Sequence, residues 1–140
     1  MNKLFSDDYI KNKHNENISK LFNTFDIQAI PEDFIKILDR GKIDFICTSR
    51  KMNFWCKVGE ICVIFPDLTR KIYVLLDYGY CMKYDEIIVN ECKTSEQRNH
   101  EIERLYYEVG LTQQFVGKLF RLSQPSISVI LKKGRNEENE

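Results

Sequence analysis

Between Lys42 and Tyr78 the chain passes through four short runs rich in Ile, Val, Phe, Tyr and Trp: KIDFICTS, NFWCKV, EICVIF and KIYVLLDY. β-Branched and aromatic residues suit the pleated, half-buried surface of a strand. Turn-prone pieces separate them, namely Arg50-Lys51-Met52-Asn53, Val58-Gly59-Glu60 and Pro66-Asp67-Leu68-Thr69. A parallel crossover needs a dozen or more residues, and none of these links is that long, so successive strands must pair as antiparallel hairpins. Three or four strands are expected. The following segment, residues 77–92, reads equally as one more strand over Glu86–Val89 or as the start of a helix, and its Tyr78, Tyr80 and Tyr84 are expected to pack at the sheet edge.

Two helices are expected before the strands. Residues 6–25 carry Ile18, Leu21, Phe22 and Phe25 at helical spacing, with Ser6 as a cap and Asp7 and Asp8 at the positive end of the helix dipole. Pro31 opens the second, Glu32 and Asp33 lie in its first turn, Gly41 stands past its end, and Phe34, Ile35, Ile37 and Leu38 face a core.

After the strands the period returns to that of a helix. In KTSEQRNHEIERLYYEVG, Thr94 with Gln97, or Ser95, makes a capped start, Ile102, Leu105, Tyr106 and Val109 form an apolar stripe, and Gly110 supplies a left-handed stop. In Leu111–Leu131, LTQQFVGKLFRLSQPSISVIL, Thr112 and Ser123 each stand where a helix N-cap belongs. Val116, Gly117, Leu119, Phe120, Leu122, Ile127, Ile130 and Leu131 supply the positions that pin two short helices together. Gly117 in mid-helix costs ~1 kcal/mol against Ala unless a second helix approaches closely there.

On these residues, positions 94–134 resemble the tri-helical helix-turn-helix units of bacterial and phage regulators, of recombinases and of the fourth region of sigma factors. The resemblance covers less than a third of the chain and does not reach the N-terminal part. It implies that the second motif helix lies in the DNA major groove. Gln124, Ser126, Ser128 and Lys132 would then face base edges, Gln pairing bidentately with adenine. Thr112, Gln113, Lys118, Arg121, Lys133 and Arg135 would contact phosphates, which position without reading sequence. Arg121 departs from the pattern by standing where these families usually have Gly. Either the turn differs, or Arg121 accepts the strain of a positive φ.

Charge fits that implication locally. The chain has 21 basic and 21 acidic residues and no net charge, which argues against a general polyanion binder. From Gly110 to Arg135, however, there are five cations, Lys118, Arg121, Lys132, Lys133 and Arg135, and no acid.

The expected class is therefore α+β: two N-terminal helices plus a small antiparallel sheet, followed by an all-α C-terminal helix-turn-helix domain. The domains are expected at 1–92, which dimerises or binds an effector or partner, and 93–135, which binds DNA, with a disordered acidic tail at 136–140. Double-stranded DNA is the expected partner, bound as a homodimer on a palindromic operator, because one such unit offers few base contacts. The alternative is a phage or mobile-element inhibitor or adaptor whose N-terminal domain binds another protein and whose C-terminal unit autoregulates.

An enzyme is not expected. His14 and His100 lie in polar helical contexts, where His14 reads as solvated, and no G-x-S-x-G, phosphate-cradling Gly loop or metal-ligand spacing occurs. Asp44, Glu60, Asp67 and Asp77 show no spacing that marks a nuclease or recombinase site. Cys47, Cys56, Cys62, Cys81 and Cys92 are odd in number, lack a C-x-x-C pair and read as thiols in a reducing cytosol, so neither metal nor cofactor is expected. The N-terminal residues lack the continuous apolar core of a signal peptide, and no run approaches the ~20 apolar residues that span a bilayer. A cytoplasmic location, away from membranes, is expected.

Overall fold

The computed structural model describes the backbone of residues 7–51 and 55–138. It comprises two compact units, 1–88 and 89–140. In the first, α1 (Asp7–Thr24) and α2 (Glu32–Arg40) precede β1 (Lys42–Lys51), β2 (Cys56–Ile64), β3 (Arg70–Asp77) and β4 (Met82–Ile87). In the second, α3 (Ser95–Glu103) runs into a π-helical segment, Arg104–Val109, followed by α4 (Gln113–Phe120) and α5 (Gln124–Glu138).

The expected fold class needs correction. The chain is not an N-terminal helix pair with a small sheet attached and an all-α domain after it. Among the described residues there are five α-helices and a four-stranded antiparallel sheet, and the strands fill the middle of the chain, 42–87, with helices before and after them. Two local readings misplaced the strands. Val58-Gly59-Glu60 is not a turn but lies inside β2, where Gly59 pairs with Thr48 on one side and Leu75 on the other. A Cβ on Gly59 would come within 3.0 Å of the Phe25 ring, so this glycine serves a helix crossing the sheet. The polar stretch Met82–Ile87 is β4, an edge strand whose alternate side chains meet solvent, which hides its strand character in the sequence.

The sheet is a meander in the order β1-β2-β3-β4. Leu21 of α1, Phe25 just past its end, Phe34, Ile37 and Leu38 of α2, and Ile43, Ile46, Ile61, Val63, Tyr73 and Leu75 of the strands form one buried cluster, each apolar side chain contributing ~1.5–3 kcal/mol on burial. Ile18, Phe22 and Ile35 pack against it partly buried. Tyr84 joins this cluster too, its ring 5.3 Å from Phe34 and 6.3 Å from Tyr73, whereas Tyr80 is exposed and stacks on Tyr78 at 6.2 Å. Pro31 caps α2, but Gly41 leaves it in an extended conformation (φ −119°, ψ 177°) that leads straight into β1, not in a left-handed stop. Cys47, Cys56 and Cys62 are buried on the strands, and burial pushes the Cys62 thiol up to about 12.

α1 also closes the outer edge of β1. His14 Nδ1 accepts a hydrogen bond from the Ile43 N–H (2.9 Å), Asn17 Nδ2 donates to the carbonyls of Ile43 (3.0 Å) and Asp44 (3.1 Å), and Lys20 Nζ donates to that of Ile46 (3.4 Å). Edge groups that could template another strand are thereby satisfied within the chain. His14 is therefore not solvated as its polar neighbours suggest: partial burial, and then the charge of Lys42, hold its pKa below the usual histidine value. Its acceptor role requires Nδ1 without a proton. Ser6, expected as the cap of α1, lies outside the described residues. α5 continues to Glu138, into the stretch expected as a disordered tail, while residues 139–140 also lie outside the description.

Candidate nucleic-acid interface

The second unit is built on caps and one buried carboxylate. Thr94 accepts from the Gln97 N–H at 3.1 Å, and Gln97 Oε1 accepts from the Lys93 N–H at 2.9 Å, a reciprocal cap at the start of α3. Glu101, only 5% exposed, takes hydrogen bonds from Arg104 Nε (2.6 Å) and a second guanidinium nitrogen (3.0 Å), from the Asn90 backbone N–H, and from Asn90 Nδ2 at 3.3 Å. It ties the incoming chain to α3. Ile102 and Leu105 are fully buried, the π-helical turn ends at Gly110 in the left-handed region (φ 89°), and Tyr107 donates from its hydroxyl to the Leu131 carbonyl of α5 (3.2 Å).

α4 and α5 are joined by Arg121, Leu122 and Ser123. Thr112 caps α4 by accepting from the Phe115 N–H (3.2 Å), and Ser123 caps α5 by accepting from the Ser126 N–H (3.3 Å). At Gly117 the turn folds back on α4, so that an added Cβ would lie 2.9 Å from the Leu122 carbonyl oxygen and 3.7 Å from Ile127 of α5. Phe115, Val116 and Ile127 are fully buried between the helices, and Leu111 and Leu131 nearly so.

Arg121 occupies the left-handed region (φ 58°, ψ 41°) as the C-cap of α4, and both its own N–H and that of Leu122 donate to the Gly117 carbonyl. The turn thus keeps a glycine-type conformation with an arginine in it. Left-handed backbone costs an L-residue ~1–2 kcal/mol, and glycine returns ~0.5–1 kcal/mol of that as unfolded-chain entropy. Arg121→Gly is expected to stabilise the second unit by ~0.5–1 kcal/mol while weakening any binding that uses the guanidinium. Denaturation midpoints and affinities of the same variant check both signs.

The residues expected at base edges do not form one row. At ~100° per residue, Pro125, Val129, Lys132 and Lys133 point away from the buried face of Ile127, Leu131 and Gly134. Ser126 and Ser128 fall on opposite flanks of that outward row, and Gln124 lies nearer the buried face. Ser126 Oγ lies 2.8 Å from Ser123 Oγ, so its hydroxyl is engaged in the cap. Gln124 and Lys132 are exposed and Ser128 is half-buried. Val129, 65% exposed in the outward row, lines a groove with Lys133 beside Glu96, His100 and Glu103 of α3. Its exposure is already legible in the helical projection of α5, because Val129 falls opposite the apolar stripe.

Of the residues expected at phosphates, Lys118, Arg121, Lys133 and Arg135 are exposed, whereas Thr112 and Gln113 are half-buried and the Thr112 hydroxyl serves the cap. Lys133 differs from the other cations in its surroundings. It lines a groove of about 520 Å3 with Glu96, His100 and Glu103 of α3, whose acids compete for it.

No family model matches this chain, and no similar curated protein or solved structure was found. Among the described residues, no helix is long and apolar enough to cross a membrane.

Proposed function

We propose that this protein binds double-stranded DNA in a sequence-specific manner, as a transcriptional regulator that acts as a homodimer on a palindromic operator in the cytoplasm. The observation that carries the reading is the exposed leading half of α5. It follows α4 through a tight turn at Gly117, and the segment from Gly110 to Arg135 carries five cations and no acid, although Glu96 and Glu103 of α3 stand beside Lys133. A rigid helix with an exposed polar leading turn suits base-edge readout in the major groove. Its cationic surround suits phosphate neutralisation, although the whole chain is neutral. The role is one of binding, with Gln124, Ser128 and Lys132 reading bases and Lys118, Arg121 and Arg135 orienting the unit on the backbone; Ser126 contributes chiefly through the cap.

Selection of bound sites from random duplexes, at two salt concentrations, tests this. A palindromic consensus is expected, and no enrichment at either salt would sink the reading. On the selected site, Gln124→Ala is expected to lose ~1–3 kcal/mol and to relax preference at one base pair. Lys118→Ala should weaken binding to all sequences and lower the salt slope by ~1.

A further inference from the structure

The sheet has two edges, and they are treated differently. That of β1 is hydrogen-bonded over Ile43–Ile46 by side chains of α1, whereas β4 is the last strand of the sheet, with β3 as its strand neighbour among the described residues. The Tyr78 N–H donates to the Cys81 carbonyl at 2.9 Å across the β3–β4 hairpin, so the polar backbone groups of residue 81 face β3. Because these groups alternate along a strand, those of Lys83, Asp85 and Ile87 face β3 as well, and those of Met82, Tyr84 and Glu86 point outward.

We propose that the outer edge of β4 pairs antiparallel with β4 of a second copy of this chain, on a two-fold axis through Tyr84, to form one eight-stranded sheet. A two-fold antiparallel pairing places one residue opposite itself, and the charges of β4 choose which. An axis at Lys83 sets lysine on lysine, and one at Asp85 sets aspartate on aspartate. An axis at Tyr84 instead sets Lys83 opposite Asp85 of the second copy, twice, and Tyr84 opposite Tyr84, all favourable cross-strand pairs. Lys83 and Asp85 are both exposed. The same register sets Cys81 opposite Ile87 and brings Tyr80 at the turn, 88% exposed, alongside Ile88 of the second copy, 74% exposed. Two otherwise solvated apolar side chains are covered at each end.

This inference rests on the homodimer of the proposed function and gives it an interface; sedimentation without DNA tests it separately from the site selection that tests DNA reading. The full-length chain is expected to sediment as a dimer at micromolar concentration. Asp85→Lys alone and Lys83→Asp alone each place like charges opposite one another twice, and each should raise the dimer dissociation constant about tenfold or more. Mixed together, the two variants restore both opposite-charge pairs, so the mixture is expected to form heterodimers although neither variant pairs with itself. That rescue also shows that both variants fold. A monomeric wild type, single variants that dimerise like wild type, or a mixture that stays monomeric would each overturn the proposal.

Discussion

Gly117→Leu is expected to lower the stability of the second unit by roughly 3 kcal/mol or more and, with it, the DNA binding proposed for that unit. A Cβ at this position already lies 2.9 Å from a backbone oxygen of the turn, that of Leu122, and 3.7 Å from Ile127. A backbone atom cannot swing aside as a side-chain tip can, so the added atoms must push α5 away from α4 or unwind the turn. Gly117→Ala is the sharper control, because two effects of opposite sign compete. On an exposed helix it would stabilise by ~1 kcal/mol through helix propensity. Here the clash with the Leu122 oxygen should outweigh that gain, giving a net loss of ~1 kcal/mol. Hydrogen exchange of the α4 and α5 amides reads the change locally; faster exchange is expected, and a stabilised Gly117→Ala would show that the helices do not meet at this residue.

The second large effect is expected at Glu101. Breaking a buried ion pair by removing one partner costs ~3–5 kcal/mol when both groups are fully buried. The Arg104 side chain is 30% exposed, so water recovers part of its loss, and Glu101→Ala is expected to cost ~2–3 kcal/mol, mainly through the unpartnered Asn90 N–H and guanidinium. Burial raises the pKa of Glu101, but the hydrogen bonds from Arg104 and Asn90, together with the charge of Arg104, outweigh it and hold the carboxyl below the usual range. A folded pKa below the unfolded one contributes stability that is complete above the unfolded value, ~4.3, and is lost as the pH falls through the folded value. Stability of the second unit should therefore decline below about pH 4.5, and Glu101→Gln should flatten that decline while lowering stability at neutral pH. Denaturation at a series of pH values checks it; an unchanged acid limb in Glu101→Gln would exclude the carboxylate as the titrating group.

Residues whose effect is local were legible in the sequence. Thr94, Thr112 and Ser123 cap helices because a hydroxyl reaches only the first turn that follows it, and Gly110 takes a left-handed stop that needs no distant partner. The apolar stripes of α1, α2 and α3 found the core for the same reason. Residues that answer to distant partners were misread. Gly59 reads as a turn, yet the Phe25 ring passes over it. His14 reads as solvated, yet it hydrogen-bonds the backbone of Ile43 across the fold. Glu101 reads as one more charge on a helix surface, yet it organises the second unit. In α5, neither the engagement of Ser126 in the cap nor the exposure of Val129 enters a reading by residue type.

The sequence by itself determined the antiparallel pairing of the strands, since links of a few residues admit no crossover, and the caps, the apolar stripes and the acid-free cationic stretch from Gly110 to Arg135. Tertiary structure alone decided that two apparent strands are one, that the polar stretch Met82–Ile87 closes the sheet, and that Arg121 holds the left-handed turn. It also decided that side chains of α1 cover the β1 edge over Ile43–Ile46. The division follows the range of the forces. Caps and helical periodicity act over four residues or fewer, whereas strand pairing, close backbone approach and the burial of a charge depend on partners that may stand anywhere in the chain.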